Sequence, residues 1–353
     1  MDVVFSEAHR SHDPVRELVM GREVDVYEKP RRADAIAETL RAEGHFFREP
    51  SDHGREPIEA VHDRAFLDHL EHAWDEWVSL GWTHPIVPDT IPIPRLLAGS
   101  VHPPASVRGR SGYHVFDTAT PMVAGTYAAV RASADTALTA ADLLLDGELL
   151  AFALCRPPGH HAGTDFAGGY CFLNNAAVAG TYLRARGGGD RVAFLDLDFH
   201  HGNGTQQIFW DDPRTLTISL HGDPDRQYPY FTGRAAERGG PGAEDTNVNL
   251  PLPAGIDGLA YLEVVELATT RVAEFDPAWL VVPLGLDTFV DDPLGDLALR
   301  TEHYPLIGMT VGSLRLPTLV VMEGGYAVDA LGPNVAGFLQ GLEAGARLAP
   351  AES

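Results

Sequence analysis

The feature that most constrains this chain is an alternation. Short, continuous apolar runs are separated by stretches with helical spacing. The runs lie at 3–5, 151–155, 192–197, 216–220, 280–284 and 318–322. Helical patterns fall near 32–43, 64–80, 122–145, 175–186, 259–274, 303–314 and 335–342. Strands that are apolar throughout, rather than at every second residue, are buried on both faces. That is the mark of a parallel sheet covered by helices on each side. The spacing predicts an α/β fold: a three-layer α/β/α unit, one domain over 1–353. The stretch 82–121 breaks the pattern with Pro85, Pro88, Pro92, Pro94, Pro103, Pro104 and Pro121. It reads as an insert without regular structure, and inserts of that length usually carry function.

At 353 residues, 44% of them hydrophobic, the chain can bury a large core without staples. Its two cysteines, Cys155 and Cys171, sit in apolar surroundings and read as buried free thiols of a reducing compartment. No basic leader followed by a long apolar stretch opens the chain, and no run approaches the roughly 18 residues of a membrane span. The expectation is a cytoplasmic protein. Fifty acidic residues against 26 basic ones give a net charge of −24. Such a surface excludes nucleic acid as a natural partner, because phosphate binding needs concentrated positive charge. It raises the local concentration of a cationic substrate, although solubility alone would also explain it.

Four apolar runs end in dense polar clusters, and in open parallel sheets ligands bind beyond the carboxyl ends of the strands. Run 151–155 leads into Arg156-Pro157-Pro158-Gly159-His160-His161, and run 192–197 into Asp196-Leu197-Asp198-Phe199-His200-His201-Gly202-Asn203. Run 280–284 leads to Gly285-Leu286-Asp287, and run 318–322 to Glu323-Gly324-Gly325-Tyr326. At a strand end, residues two apart share a side, so Asp196, Asp198 and His200 can face one ion. Carboxylate oxygen with imidazole nitrogen suits a divalent metal, zinc above all where ligands are few and a position stays open. Asp287 would add a ligand from another strand. The adjacent His160 and His161 can divide general acid–base work, and Tyr326, freed by two glycines, can hold an oxyanion. Tyr170, in an aromatic, glycine-rich segment, is a candidate wall for a narrow approach. His201 and His221 read as structural.

These runs together resemble the histone deacetylase and acetylpolyamine amidohydrolase superfamily. The segments that carry the resemblance are RPPGHHAG at 156–163, GGYCFLNNAAVA at 168–179 and FLDLDFHHGNGTQQIF at 194–209. SLHGDP at 219–224, LGLDTFVDDPLG at 284–295 and MEGGY at 322–326 complete it. With VFSEAHR at 4–10, their wording is most similar to the bacterial acetylpolyamine amidohydrolases. The resemblance implies an arginase-like fold with an eight-stranded parallel sheet. It implies zinc, or Fe(II), on Asp198, His200 and Asp287, with Asp196 instead partnering His160 and Asn203 partnering His161. His161 would be the main acid–base and Tyr326 the hydrogen-bond donor to the substrate carbonyl. A potassium ion would lie by Asp196, Asp198, His200, Ser219 and Leu220, and Tyr170 and Tyr228 would wall a tunnel for an aliphatic chain.

The resemblance further implies that the insert builds a homodimer and narrows the entrance, and that carboxylates there hold the far ammonium groups of the substrate. Glu17, well before the insert, matches the family's N-terminal acidic residue. Arg108 and Ala119 stand where others are expected, while Asp117 lies nearby in sequence. Arg108 would repel a polycation or pair with a carboxylate of the protein or substrate. The functional reading is a deacetylase of a small acylated amine. A protein lysine deacetylase and a silent acyl-amine binding protein are the alternatives. An arginase-type binuclear manganese site would need more carboxylates than the sequence offers.

Overall fold

A computed structural model describes residues 1–93, 102–188 and 190–348, so Pro94 and the remainder of 94–101 in the insert lie outside the described residues. The chain opens with β1 (Asp2–Val4), a two-stranded antiparallel ribbon of β2 (Arg16–Val19) and β3 (Arg22–Asp25), helix α1 (Arg31–Ala42) and β4 (Phe46–Arg48). Helices α2 (Glu56–Glu59), α3 (Arg64–Ser79), α4 (Val107–His114) and α5 (Thr126–Leu145) precede β5 (Leu150–Ala153). Then come α6 (Asn175–Arg186), β6 (Val192–Asp196), α7 (Asn203–Phe209), β7 (Thr215–Gly222) and β8 (Asn247–Leu252). The last elements are α8 (Gly258–Phe275), β9 (Trp279–Leu284), α9 (Tyr304–Gly312), β10 (Thr318–Met322) and α10 (Val328–Arg347). Eight strands form one sheet in the order β4-β1-β5-β10-β9-β6-β7-β8, with every neighbouring pair parallel.

Period-2 geometry divides the strands' side chains between two cores. Ala151, Ala153, Val192, Phe194, Val281, Leu319 and Val321 pack with α3, α5 and α6 on one face. Phe152, Leu154, Ala193, Leu195, Leu280, Val282 and Val320 pack with α1, α8, α9 and α10 on the other. Both sets are fully buried, which is why these strands read as unbroken apolar runs. Among the described residues no helix is long and apolar enough to cross a membrane, and both cysteines are free and buried.

The structure departs from the sequence reading at the margins. The edge strands β4 and β8 give no continuous apolar signal, because one edge of each faces away from the sheet. β4 is largely exposed and β8 interleaves Asn247 and Asn249 with apolar residues. The insert is not wholly irregular: α4 forms inside it, started by Ser106, whose Oγ accepts the Gly109 N–H. Prolines on either side and Gly109 and Gly112 within it obscured its periodicity. Helix α10 is far longer than 335–342, since Pro333 lies inside it rather than ending it.

Candidate active site

The four polar clusters leave β5, β10, β9 and β6, which are consecutive neighbours in the sheet order. Parallel strands end at the same side, so the clusters meet. Ligand atoms of Asp198, His200 and Asp287 all lie within 4.8 Å of one another. His200 Nδ1 stands 2.9 Å from Asp287 Oδ2 and 3.4 Å from Asp198 Oδ1. Backbone donors orient the carboxylates: the Gly324 N–H donates to Asp198 Oδ2 at 2.8 Å, and the Phe199 N–H to Asp287 Oδ1 at 2.9 Å. Gly324 has to be glycine, because a Cβ there would lie 2.6 Å from carboxylate oxygens of both Asp198 and Asp287. The pair is fully buried, and two such carboxylates with one imidazole make a donor set that calls for a cation. Burial and the neighbouring Asp198 push Asp287 up to about 7.

His160 and His161 lie side by side, ring centroids 4.0 Å apart and planes tilted by 46°, yet their partners differ. His160 Nδ1 lies 3.0 Å from Asp196 Oδ2, and His161 Nδ1 lies 2.7 Å from Asn203 Oδ1. Burial works against charge on both. At His160 the Asp198 and Asp196 carboxylates overcome it and raise the imidazole to about 10. At His161 burial is reinforced by the neighbouring His160 and His200, so this ring stays neutral well below the usual range. Carboxylates beside His160, and burial with neighbouring histidines at His161, therefore give a charged and a neutral imidazole in direct contact.

Tyr326 is carried beyond β10 by Gly325, whose φ of +114° only glycine adopts readily. Its backbone N–H donates to Asp292 Oδ2 at 2.6 Å. The Arg32 guanidinium lies 4.7 Å from the ring centroid. Tyr170 packs edge-on to Tyr326 at 5.7 Å, and Tyr228 lies edge-on to His161 at 5.1 Å. Each of these two tyrosines, Tyr170 and Tyr228, is tied to a carboxylate. The Tyr170 hydroxyl donates to Glu17 Oε1 at 3.1 Å and the Tyr228 hydroxyl to Asp117 Oδ2 at 2.8 Å. Glu17 is buried, its Oε2 has no partner among the described residues, and burial lifts it to about 7 against the Tyr170 hydrogen bond.

Most residues singled out from the sequence thus converge. Ser219 and Leu220 lie on β7, with Ser219 in register beside Asp196. His201 and His221 have structural partners, in Thr232 and Gln206 for the first and Ser219 and Gly233 for the second. Arg108 stands apart: it is exposed and pairs with Asp89 of the same insert, and among the described residues no hydrogen bond or ion pair joins it to Glu17, Asp117 or the tunnel tyrosines. Its place among substrate-binding residues has no support in these contacts. Asp292, Glu323 and the buried Glu28–Arg32–Arg156 cluster went unassigned. Glu28, Arg32 and Asp292 lie among other charged residues, so nothing in the local sequence marks them as buried or names their partners.

The histone deacetylase domain model matches residues 26–342. Two relatives from Pseudomonas aeruginosa are acetylpolyamine amidohydrolase 1, 45% identical over 98% of this chain and 99% of that one, and acetylpolyamine amidohydrolase 2, 43% identical over 97% and 99%. A crystal structure of an acetylpolyamine aminohydrolase from Burkholderia pseudomallei superimposes with a TM-score of 0.92 at 39% identity, covering 98% of this chain and 99% of that one.

Proposed function

This chain belongs to the histone deacetylase domain family, and we propose that it removes an acetyl group from a small cationic amine, an acetylated polyamine or a close analogue. The observation that carries this reading is the meeting of Asp198, His200 and Asp287 with a neutral His161 and a charged His160 past the ends of the central strands of one sheet, with Tyr326 following the neighbouring β10. Relatives named acetylpolyamine amidohydrolases, alike over nearly the full length, support amide hydrolysis and this substrate class.

Asp198, His200 and Asp287 would hold the ion, zinc by their donor types and small number, with Fe(II) accepted by the same atoms. Such an ion supplies a polarised amide carbonyl and a more acidic water. His161, its Nδ1–H directed to Asn203, keeps Nε2 free to take the proton of the attacking water and later deliver it to the departing amine. His160, held by Asp196, keeps a fixed positive charge beside that exchange. Tyr326 donates to the oxygen of the tetrahedral intermediate. Tyr170 and Tyr228 flank the acyl-amine chain, and Glu17 and Asp117 receive the cationic end.

The wider reading is of one cytoplasmic catalytic domain with a structural potassium ion near Asp196, Asp198, His200, Ser219 and Leu220. A homodimer forms through the ribbon and insert. A groove of about 580 Å³ there, lined by Val15, Leu18, Pro85 and Val87, and the exposed Met20 support that contact. Sedimentation over a concentration series tests it, and a monomer throughout would remove it.

The deciding experiment is turnover of acetylputrescine, acetylcadaverine, acetylspermidine and an acetyl-lysine peptide, with zinc content measured in parallel. Preference for the free amines is expected. A peptide turned over best would reassign the substrate, and zinc-loaded protein inert on all four would refute hydrolysis of this bond.

A further inference from the structure

Glu323 stands three residues before Tyr326, and the chemistry above gives it no task. We propose that Glu323 is a positioning residue, whose carboxylate fixes the backbone of His160 and His161 relative to the Tyr326 loop. The kinetic part of this inference rests on the amidohydrolase reading.

The side chain is completely buried at the end of β10. Its Oε2 accepts two successive backbone N–H groups, from Gly159 at 2.6 Å and His160 at 3.1 Å. Consecutive amides aimed at one point form a small anion-binding cradle, which favours the carboxylate form of Glu323 against the burial that lifts it to about 7. The other side of that turn is closed. A Cβ on Gly159 would stand 2.5 Å from the Asn175 nitrogen and 2.7 Å from the Leu173 oxygen. The turn bearing both histidines is therefore pressed between the start of α6 and one carboxylate.

The same residue is held from its own side. Its N–H donates to the Leu284 oxygen at 3.0 Å, where β9 ends. Its carbonyl accepts from Arg32 Nη2 at 2.6 Å, and Arg32 Nε donates to the Gly325 oxygen at 2.5 Å. The next residue, Gly324, donates to Asp198. One side chain thus joins the base-bearing turn to the loop of the oxyanion donor and to the carboxylate trio. Misplacing a catalytic group by about an ångström can slow a reaction about a hundredfold.

Two substitutions separate positioning from packing. Glu323→Met keeps much of the volume and removes the acceptor, whereas Glu323→Gln keeps an acceptor oxygen and removes the charge. With acetylputrescine, Glu323→Met is expected to lower kcat about a hundredfold with KM changed less than about threefold, at wild-type zinc content. Glu323→Gln is expected to recover to within about tenfold of wild type, because its amide oxygen still accepts both N–H groups. Histidine-ring ¹⁵N signals of the metal-free protein give a readout independent of turnover: those of His160 and His161 shift in the Met variant and stay near wild type in the Gln variant.

Wild-type kcat and histidine signals in Glu323→Met would overturn the proposal, as would a Gln variant no better than Met. So would activity lost only in proportion to lost zinc or lost folding. Ligand atoms of His160, Cys171 and Glu323 also lie within 4.8 Å of one another. Two zinc ions per wild-type chain, falling to one in Glu323→Met, would therefore replace positioning with a second metal site. Should the wild type cleave no acylated amine, the amidohydrolase reading fails, while the ring signals still decide for or against the clamp.

Discussion

At the floor of the site, Asp196, Asp198, Asp287 and Tyr326 stand at or just past the ends of adjacent parallel strands, and backbone N–H groups orient the two buried carboxylates Asp198 and Asp287. The rim is assembled differently. Glu17 comes from the ribbon, Asp117 from the insert and Tyr228 from the loop after β7, and none of these segments belongs to the eight-stranded sheet. They reach one another through side chains, by Tyr170 to Glu17 and Tyr228 to Asp117. The contrast separates two tasks. The floor has to hold several charges within a few ångströms, so its residues admit no substitute and little movement. On the proposed reading the rim matches the far end of a substrate, and single exchanges there are expected to alter selectivity without touching the reaction.

The largest effect should come from the floor. His161→Ala is expected to lower kcat by about 10²–10⁴ and Tyr326→Phe by about 10²–10³, each with zinc content and melting temperature close to wild type. Near-normal kcat in either would erase the difference between floor and rim. At the rim, Asp117→Asn removes charge from the acceptor of four donors, the Tyr228 hydroxyl, the Gly169 N–H, the Thr120 hydroxyl and the Ala119 N–H. Hydrogen bonds to charged groups contribute about 1.5–3 kcal/mol, so KM for a cationic acetylated amine should rise about tenfold or more while kcat changes far less. A fall in kcat of the size seen for His161→Ala would place Asp117 functionally in the floor.

Glu17 sharpens the comparison through pH. Burial raises its pKa to about 7, so it is a carboxylate above that pH and a neutral acid below it. The sign follows directly: attraction for the ammonium end is present at pH 8 and is lost as pH falls through 7. For acetylputrescine, KM should rise several-fold from pH 8 to pH 6, and Glu17→Gln should show the high KM at both. An uncharged N-alkylacetamide should show no such rise. An equal pH response from the neutral amide would mean that the titrating group acts on the floor.

The same contrast explains what the sequence disclosed. The central strands were legible because burial on both faces demands unbroken apolar runs, and the site was legible because its charged residues follow those runs directly. Residue types alone left the roles of the two neighbouring histidines open, and the resemblance pointed to Asp196 as the partner of one and Asn203 of the other. The fold brings both pairs within hydrogen-bond distance and leaves one ring charged and the other neutral. Edge strands β4 and β8 and helix α4 stayed hidden, since half-exposed backbone and proline-rich flanks leave no periodicity. Glu28, Arg32 and Arg156 are a similar case: 128 positions separate Glu28 from Arg156, and no local pattern announces that a carboxylate so distant will meet both arginines.

The smallest effect is expected at Arg108, and it tests the rim most finely. Read from sequence, an arginine in the insert is a positive charge set against a polycationic substrate. In the fold its side chain is 63% exposed and paired with Asp89, whose side chain is 54% exposed. The pair is close to neutral as a unit, and water and salt screen what remains over a few ångströms. Arg108→Ala should therefore change kcat/KM for acetylspermidine by less than about twofold, with any residue of the effect vanishing as salt is raised. Removing the partner instead, by Asp89→Ala, frees the arginine's charge and should lower kcat/KM slightly at low salt. A tenfold gain for Arg108→Ala, persisting at high salt, would mean that Arg108 leaves Asp89 to meet the substrate path. Selectivity would then be set by a repulsive residue of the insert rather than by Glu17 and Asp117 alone.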